Sequence, residues 1–241
     1  MVEATSDIWG EFCGKILNEN LLGQILTLSY KPLRKMDFLL SLRLNDYQLV
    51  VVGWNIILSL LPCLIVYKMS QMYPHKKWAT LGLMGQISFL GLFLIWFFFF
   101  PNTAYLIADI RHLVDYCEHP GFLRICKDQA YIVPIFFTYA LIGVPTFYYA
   151  LRQMTRVLRM LFNKTVSRLF PLFMIPLTSL GVMLGLVARF NSWDIVRSPF
   201  AIIHTVFKHL GEPVMLLNIV SYTVMLYLIY YFILFIKKSS V

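Results

Sequence analysis

Five stretches of this chain contain no Asp, Glu, Lys, Arg or His and are dominated by apolar residues: 49–67, 78–100, 130–151, 169–188 and 214–236. A helix needs roughly 20 apolar residues to cross the hydrocarbon core of a bilayer. Inside lipid every backbone N–H and C=O must be paired within the segment, so each run is expected to be helical. The chain therefore reads as all-α, a polytopic transmembrane helical bundle of about five spans with interfacial amphipathic helices. Composition agrees: 59% of the 241 residues are hydrophobic and 14% are charged, where a soluble domain carries about 25% charge. The sequence divides into an extramembrane N-terminal segment, 1–48, a bundle, 49–236, and a short tail, 237–241.

The net charge of +9 does not imply a nucleic-acid partner, because the cations are dispersed among short loops between apolar runs rather than gathered on one soluble face. Their distribution sets the expected orientation. The loops after the first and third runs, with the C-terminal tail, hold Lys68, Lys76, Lys77, Arg152, Arg156, Arg159, Lys164, Arg168, Lys237 and Lys238, and no acid. The other side holds the remaining cations and all 12 acids. The positive-inside rule puts the acid-free side in the cytoplasm and the N-terminus outside or in a lumen. The membranes that fit are a bacterial plasma membrane or a cyanobacterial thylakoid.

Residues 1–48 carry an apolar stripe at Ile8, Phe12, Ile16, Leu21 and Ile25, a helical pattern. Glu11, Lys15 and Glu19 lie among these residues. They disfavour a free span and a cleavable leader, and suit an amphipathic helix on the membrane surface or docked on a partner protein. Between the fourth and fifth runs, Ser198-Pro199 reads as an N-cap followed by proline at the first helical position. Phe200, Ile203, Phe207 and Leu210 follow as an apolar stripe, with Gly211 as a stop.

Two polar clusters lie where runs end on the outer side. In "FFFFPNTAYLIADIRHLVDY", Pro101 should interrupt the second span near Phe100, and Asn102 or Thr103 should cap a new helix. If that helix continues, Asp109, His112 and Asp115 share a face at i, i+3, i+6. Asp109 can then fix the tautomer of His112, which would suit a proton-accepting histidine; Arg111 lies alongside. The same residues equally suit a charged patch that anchors a helix end. The second cluster, "ARFNSWDIVRSP", supplies Arg189, Asn191, Ser192, Trp193 and Asp194. Arg189 is placed to pair with Asp109 or Asp194, and the two clusters emerge at one membrane level, where they can build a binding site.

The polar residues inside the runs are Asn55, Gln86, Thr138, Thr178, Ser179, Asn218, Ser221 and Thr223, expected to serve as interhelical hydrogen bonds. Ionisable groups inside spans mark proton and ion paths; the runs offer none. Cys63 lies in the first run and is expected to be packed. Cys117 and Cys126 share an outer loop, where a disulfide is compatible with an oxidising compartment. No metal site and no cofactor are expected; a lipid ligand is compatible with the clusters.

"WNIILSLLP" (54–62), "PNTAYLIADIRHL" (101–113) and "GVMLGLVARFNSWDIVRSP" (181–199) resemble the signature segments of a bacterial membrane family, domain of unknown function 1361. The resemblance covers residues 47–235. It implies a multi-pass fold and signature positions at Pro101, Asn102, Tyr105, Asp109, His112, Asn191, Ser192, Trp193 and Asp194. It implies no activity.

These features favour a non-catalytic subunit or assembly factor of a membrane protein complex, in contact with membrane lipids and another membrane protein. The alternative is an enzyme acting on a lipid or lipid-linked substrate at the outer leaflet, with His112 oriented by Asp109 as base and Arg111 and Arg189 on an anionic head group. A transporter fits least.

Overall fold

The computed structural model describes residues 43–44, 47–73, 77–110 and 132–239. The amphipathic segment, Arg111, His112, Asp115 and the Cys117–Cys126 pair lie outside the described residues. A two-residue antiparallel ladder, β1 (Arg43–Leu44) on β2 (Tyr47–Gln48), with Arg43 opposite Gln48, leads into the bundle. The helices are α1 (Leu49–Met72), α2 (Leu83–Phe99), α3 (Pro101–Ala108), α4 (Ile132–Leu161), α5 (Lys164–Leu186), α6 (Asp194–Arg197), α7 (Pro199–Gly211) and α8 (Pro213–Ser239). Five segments are long and apolar enough to cross a membrane: Val50–Met72, Leu83–Ala108, Val133–Leu161, Lys164–Leu186 and Pro213–Ser239.

Each expected span is present, with shifted bounds. The second starts at Leu83, because Trp78–Thr80 forms a separate 3-10 turn and Gly82 is the N-cap. The third runs ten residues past 151, and the fifth takes in Lys237 and Lys238 of the expected tail. At 1.5 Å per residue, the 30 residues of α4 measure about 45 Å, against a hydrocarbon core of about 30 Å. Its last turns, with Arg152, Arg156 and Arg159, therefore extend past the apolar slab. A run ends where charge begins, but the helix ends where its hydrogen bonds do.

Pro101 was expected to interrupt the second span near Phe100, and the helix does divide there, into α2 and α3. Phe100 keeps helical dihedrals (φ −58°, ψ −38°) as the C-cap of α2 and N-cap of α3, and Pro101 occupies the first position of α3. The seam is sealed by its neighbours. Asn102 Nδ2 donates to the Phe99 carbonyl (3.1 Å), while the Thr103 N–H and hydroxyl both donate to the Phe100 carbonyl (3.1 and 2.8 Å). Neither side chain caps α3 in the expected way; both serve carbonyls of the preceding turn. Side-chain bonds of this kind are how membrane helices tolerate proline.

Half of the apolar window of α4 and 44% of that of α5 are buried, against 17% for α2 and α8. So α4 and α5 form the centre. Helix α3 packs on α4, α1 and α5, and α8 packs on α5. Burial from water does not drive association between helices already in lipid, so close packing has to hold the bundle. Trp96 and Phe100 stack with ring centroids 4.5 Å apart, and Phe100 stacks on Phe147 of α4 at 5.5 Å. All three rings are fully buried.

The intramembrane hydroxyls depart from expectation. Thr138, Thr178, Ser179, Ser221 and Thr223 each donate to the carbonyl four residues back in their own helix. This satisfies them without a partner helix. Bonds between segments include two from tyrosines, Tyr227 to the Leu172 carbonyl (2.6 Å) and Tyr73, just past α1, to that of Gly85 (3.3 Å). Cys63 is fully buried and approaches the Thr146 carbonyl, as expected of a packed thiol.

Candidate functional site

Helices α3 and α5 meet through an unusually close crossing, and that contact shapes the site. A Cβ built on Gly181 would lie 2.7 Å from Cγ of Pro101; one on Gly185 would lie 3.1 Å from the Tyr105 ring. Two glycines four apart thus receive two ring side chains four apart. Gly-x-x-x-Gly is a known close-packing signature in membrane helices. It stands in the sequence at 181–185, yet spacing alone does not reveal its partner. Gly143 of α4 gives α3 a similar approach on the other side, against Leu106 and Ile107.

Past Leu186, Arg189 adopts a left-handed backbone (φ 60°), alone in this among the described non-glycine residues. A non-glycine residue held there stores roughly 1–3 kcal/mol of strain. The turn lets the Phe190 N–H return to the Leu184 carbonyl (3.2 Å). Asp194 then accepts from the Asn191 N–H at 2.7 Å, and the Asp194 N–H donates to the Asn191 carbonyl at 3.0 Å. These reciprocal bonds fold "NSWD" into one turn. Its tie to the bundle is Asn102, whose Nδ2 donates to Ser192 Oγ at 2.9 Å across 90 positions of sequence.

The two signature segments therefore converge, as their shared membrane level suggested. Between them lies a cavity of about 500 Å³. Asn102, Tyr105, Arg189, Asn191 and Ser192 contribute to its wall. Asn55 and Val51 enter from α1, Phe97 and Phe98 from α2, and Met174, Leu177 and Leu180 from α5. Arg189 is the one charged side chain on the wall among the described residues. The chamber is thus apolar along the helices and polar, with a single cation, at the loop. Such a volume falls within the range that holds small ligands.

Other expected site residues lie elsewhere. Asp109 is the C-cap of α3 and fully buried, but does not line the cavity. Helix α3 ends at Ala108, and Asp109 and Ile110 already form a 3-10 turn, so the expected helical face is not continued within the described residues. Trp193 and Asp194 do not reach the wall; Trp193 is the N-cap of α6. Asp194 bonds Asn191, and no ion pair joins it to Arg189 among the described residues. Helix α7 spans Ser198-Pro199 to Gly211 as expected, although Ser198 makes no side-chain cap bond. Its stripe, including Phe200, Ile203 and Phe207, faces away from the protein.

A family model, protein of unknown function DUF1361, matches residues 54–234 of the 241. The chain belongs to this family. The match takes in every residue named on the cavity wall except Val51. No curated protein and no solved structure matches the chain.

Proposed function

We propose that this multi-pass membrane protein holds one amphiphilic molecule, a lipid or lipid-linked compound, in the cavity between α1, α2, α3 and α5. One observation carries the reading: a single chamber of about 500 Å³ joins apolar helix faces to a polar, singly cationic loop. A hydrocarbon chain would lie along Val51, Phe98 and Leu177. An anionic or carbonyl-bearing head would meet Arg189, Asn191 and Asn102, where charge-assisted bonds are the strong ones. The charge bias supports a position toward the outer leaflet, and a bacterial plasma membrane or a thylakoid is the membrane proposed. Impermeant thiol labelling tests that side. In a chain stripped of native cysteines, Val196→Cys should label in intact cells and Phe162→Cys should not; the reverse pattern would invert the orientation.

The lipid-directed alternative raised by the sequence therefore gains support over the subunit reading. The latter rests on the amphipathic segment at 1–48 and would require a partner at fixed stoichiometry in mild detergent. A catalytic version adds His112 as base beside Asp109. The deciding experiment is native mass spectrometry of the protein from mild detergent, with and without Leu177→Trp, which fills the apolar wall. The wild type should retain one lipid-sized adduct and the variant should lose it. Equal adducts in both, or none in either, would remove the reading. If the adduct binds equally to His112→Gln but is no longer converted, the site is catalytic.

A further inference from the structure

The opposite end of the bundle carries a second cavity, of about 410 Å³, where α4, α5 and α8 meet. Arg152 and Arg159 line it from α4, and Lys164 and Arg168 from α5. Hydroxyl groups of Thr155, Ser167 and Tyr230 stand among these cations. No acid lines it. The described residues that reach this end, 68–73, 77–82, 152–168 and 237–239, contain none either. The described acids, Asp109, Asp194 and Glu212, all sit at the far end of the bundle. A neighbouring cation, Lys237, leans on the Tyr148 ring, its Nζ 4.9 Å from the centroid. Like charges gathered in a concave, partly apolar site repel one another and attract an external anion.

The surroundings indicate what kind of anion. An apolar groove of about 440 Å³ runs along α8 past Leu228, Phe232 and Phe235. Tyr231 belongs to both the groove and the cationic cavity. Phe232 and Phe235 are 64% and 71% exposed and so face lipid. A phosphate in the cavity would thus have an acyl-chain track leading from it. Basic pockets between helices are established seats for anionic head groups.

We propose that this cavity binds the phosphate head group of an anionic membrane lipid, with one acyl chain lying in the α8 groove. The site is separate from the cavity at the other end and does not rest on its function.

Thermal unfolding of the full chain in neutral detergent tests it, with phosphatidylglycerol, phosphatidylcholine or inorganic phosphate as titrant. Phosphatidylglycerol should raise the midpoint saturably, and phosphatidylcholine should not. Arg159→Gln with Arg168→Gln should weaken half-saturation by about tenfold or more. Lys68→Gln with Lys77→Gln, on the same end but outside the cavity, should leave it unchanged. Equal weakening by both double variants would mean diffuse surface charge and overturn the site. A response to inorganic phosphate equal to that of the lipid would overturn the head-group assignment in favour of free phosphate. If the glutamine pair does not purify, native mass spectrometry of the wild type decides: phosphatidylglycerol should survive as a discrete adduct, and equal retention of phosphatidylcholine would overturn the proposal.

Discussion

The two ends of this bundle handle polarity in opposite ways. At one, polar groups answer each other: Asn102 holds Ser192, and the Asp194 carboxylate holds Asn191. At the other, four cations face a cavity lined by no carboxylate. The first end is largely satisfied by its own chain and leaves a single charge, Arg189, facing its chamber. The second has no carboxylate of its own on the wall, and a lipid phosphate is proposed to fill it. The contrast teaches that a conspicuous polar motif at a span end can be mostly construction, while an unremarkable scatter of Arg and Lys can be the place that needs a ligand.

The contrast breaks most severely if the first end is pried apart. Gly181→Leu would drive a branched side chain into the Pro101 ring, where even a Cβ has 2.7 Å. Overpacking of this kind should cost about 3 kcal/mol, read as loss of monodisperse protein in detergent and a lowered melting temperature. Gly91→Leu meets open space. It should be neutral or gain about 0.5–1 kcal/mol from helix propensity. Similar behaviour of the two would refute the glycine contact.

Next comes the tie itself. Asn102→Leu should destabilise by about 1–3 kcal/mol, because partly buried groups lose their partner. In a double-mutant cycle with Ser192→Ala, a coupling near zero would mean that the two signature segments meet without holding each other. Asp194→Ala, which frees the Asn191 N–H, should cost about 1 kcal/mol, as for loss of a helix cap, measured by the same unfolding assay. The smallest effect belongs to the basic end. With no anionic lipid added, Arg159→Gln with Arg168→Gln should move stability by no more than about 0.5 kcal/mol. A large loss would show that these cations serve the fold itself and would erase the difference between the ends.

Much of this architecture was legible in the sequence. The five spans follow from uncharged runs, and α7 from Ser198-Pro199 at one end and Gly211 at the other. The convergence of "PN" and "NSWD" was foreseen as a shared membrane level. The bond that joins Asn102 to Ser192 was not, because pairing across 90 positions has no local pattern. The basic cavity was missed for a different reason. Absence of charge delimits the hydrocarbon core, so α4 and α5 appeared to stop where their cations begin. In fact both helices carry those cations on ordered turns and aim them into one space. The hydroxyls were assigned across helices, yet a Ser or Thr can always choose its own i−4 carbonyl, and spacing does not distinguish the two. Arg111, His112 and the Cys117–Cys126 pair lie outside the described residues.

The acid-free end also has an electrical consequence. Moving one elementary charge across an energised membrane takes about 2.3 kcal/mol per 100 mV. The segments that reach this end hold ten cations and no acid. Exporting them all against a potential negative inside would take roughly 20 kcal/mol per 100 mV. Eight of them, Lys68, Arg152, Arg156, Arg159, Lys164, Arg168, Lys237 and Lys238, lie on α1, α4, α5 and α8 of one packed bundle, so they would have to cross together. With this end in the cytoplasm, the orientation proposed from the charge bias, the membrane potential would add to the lock on the topology in an energised cell and not in a depolarised one.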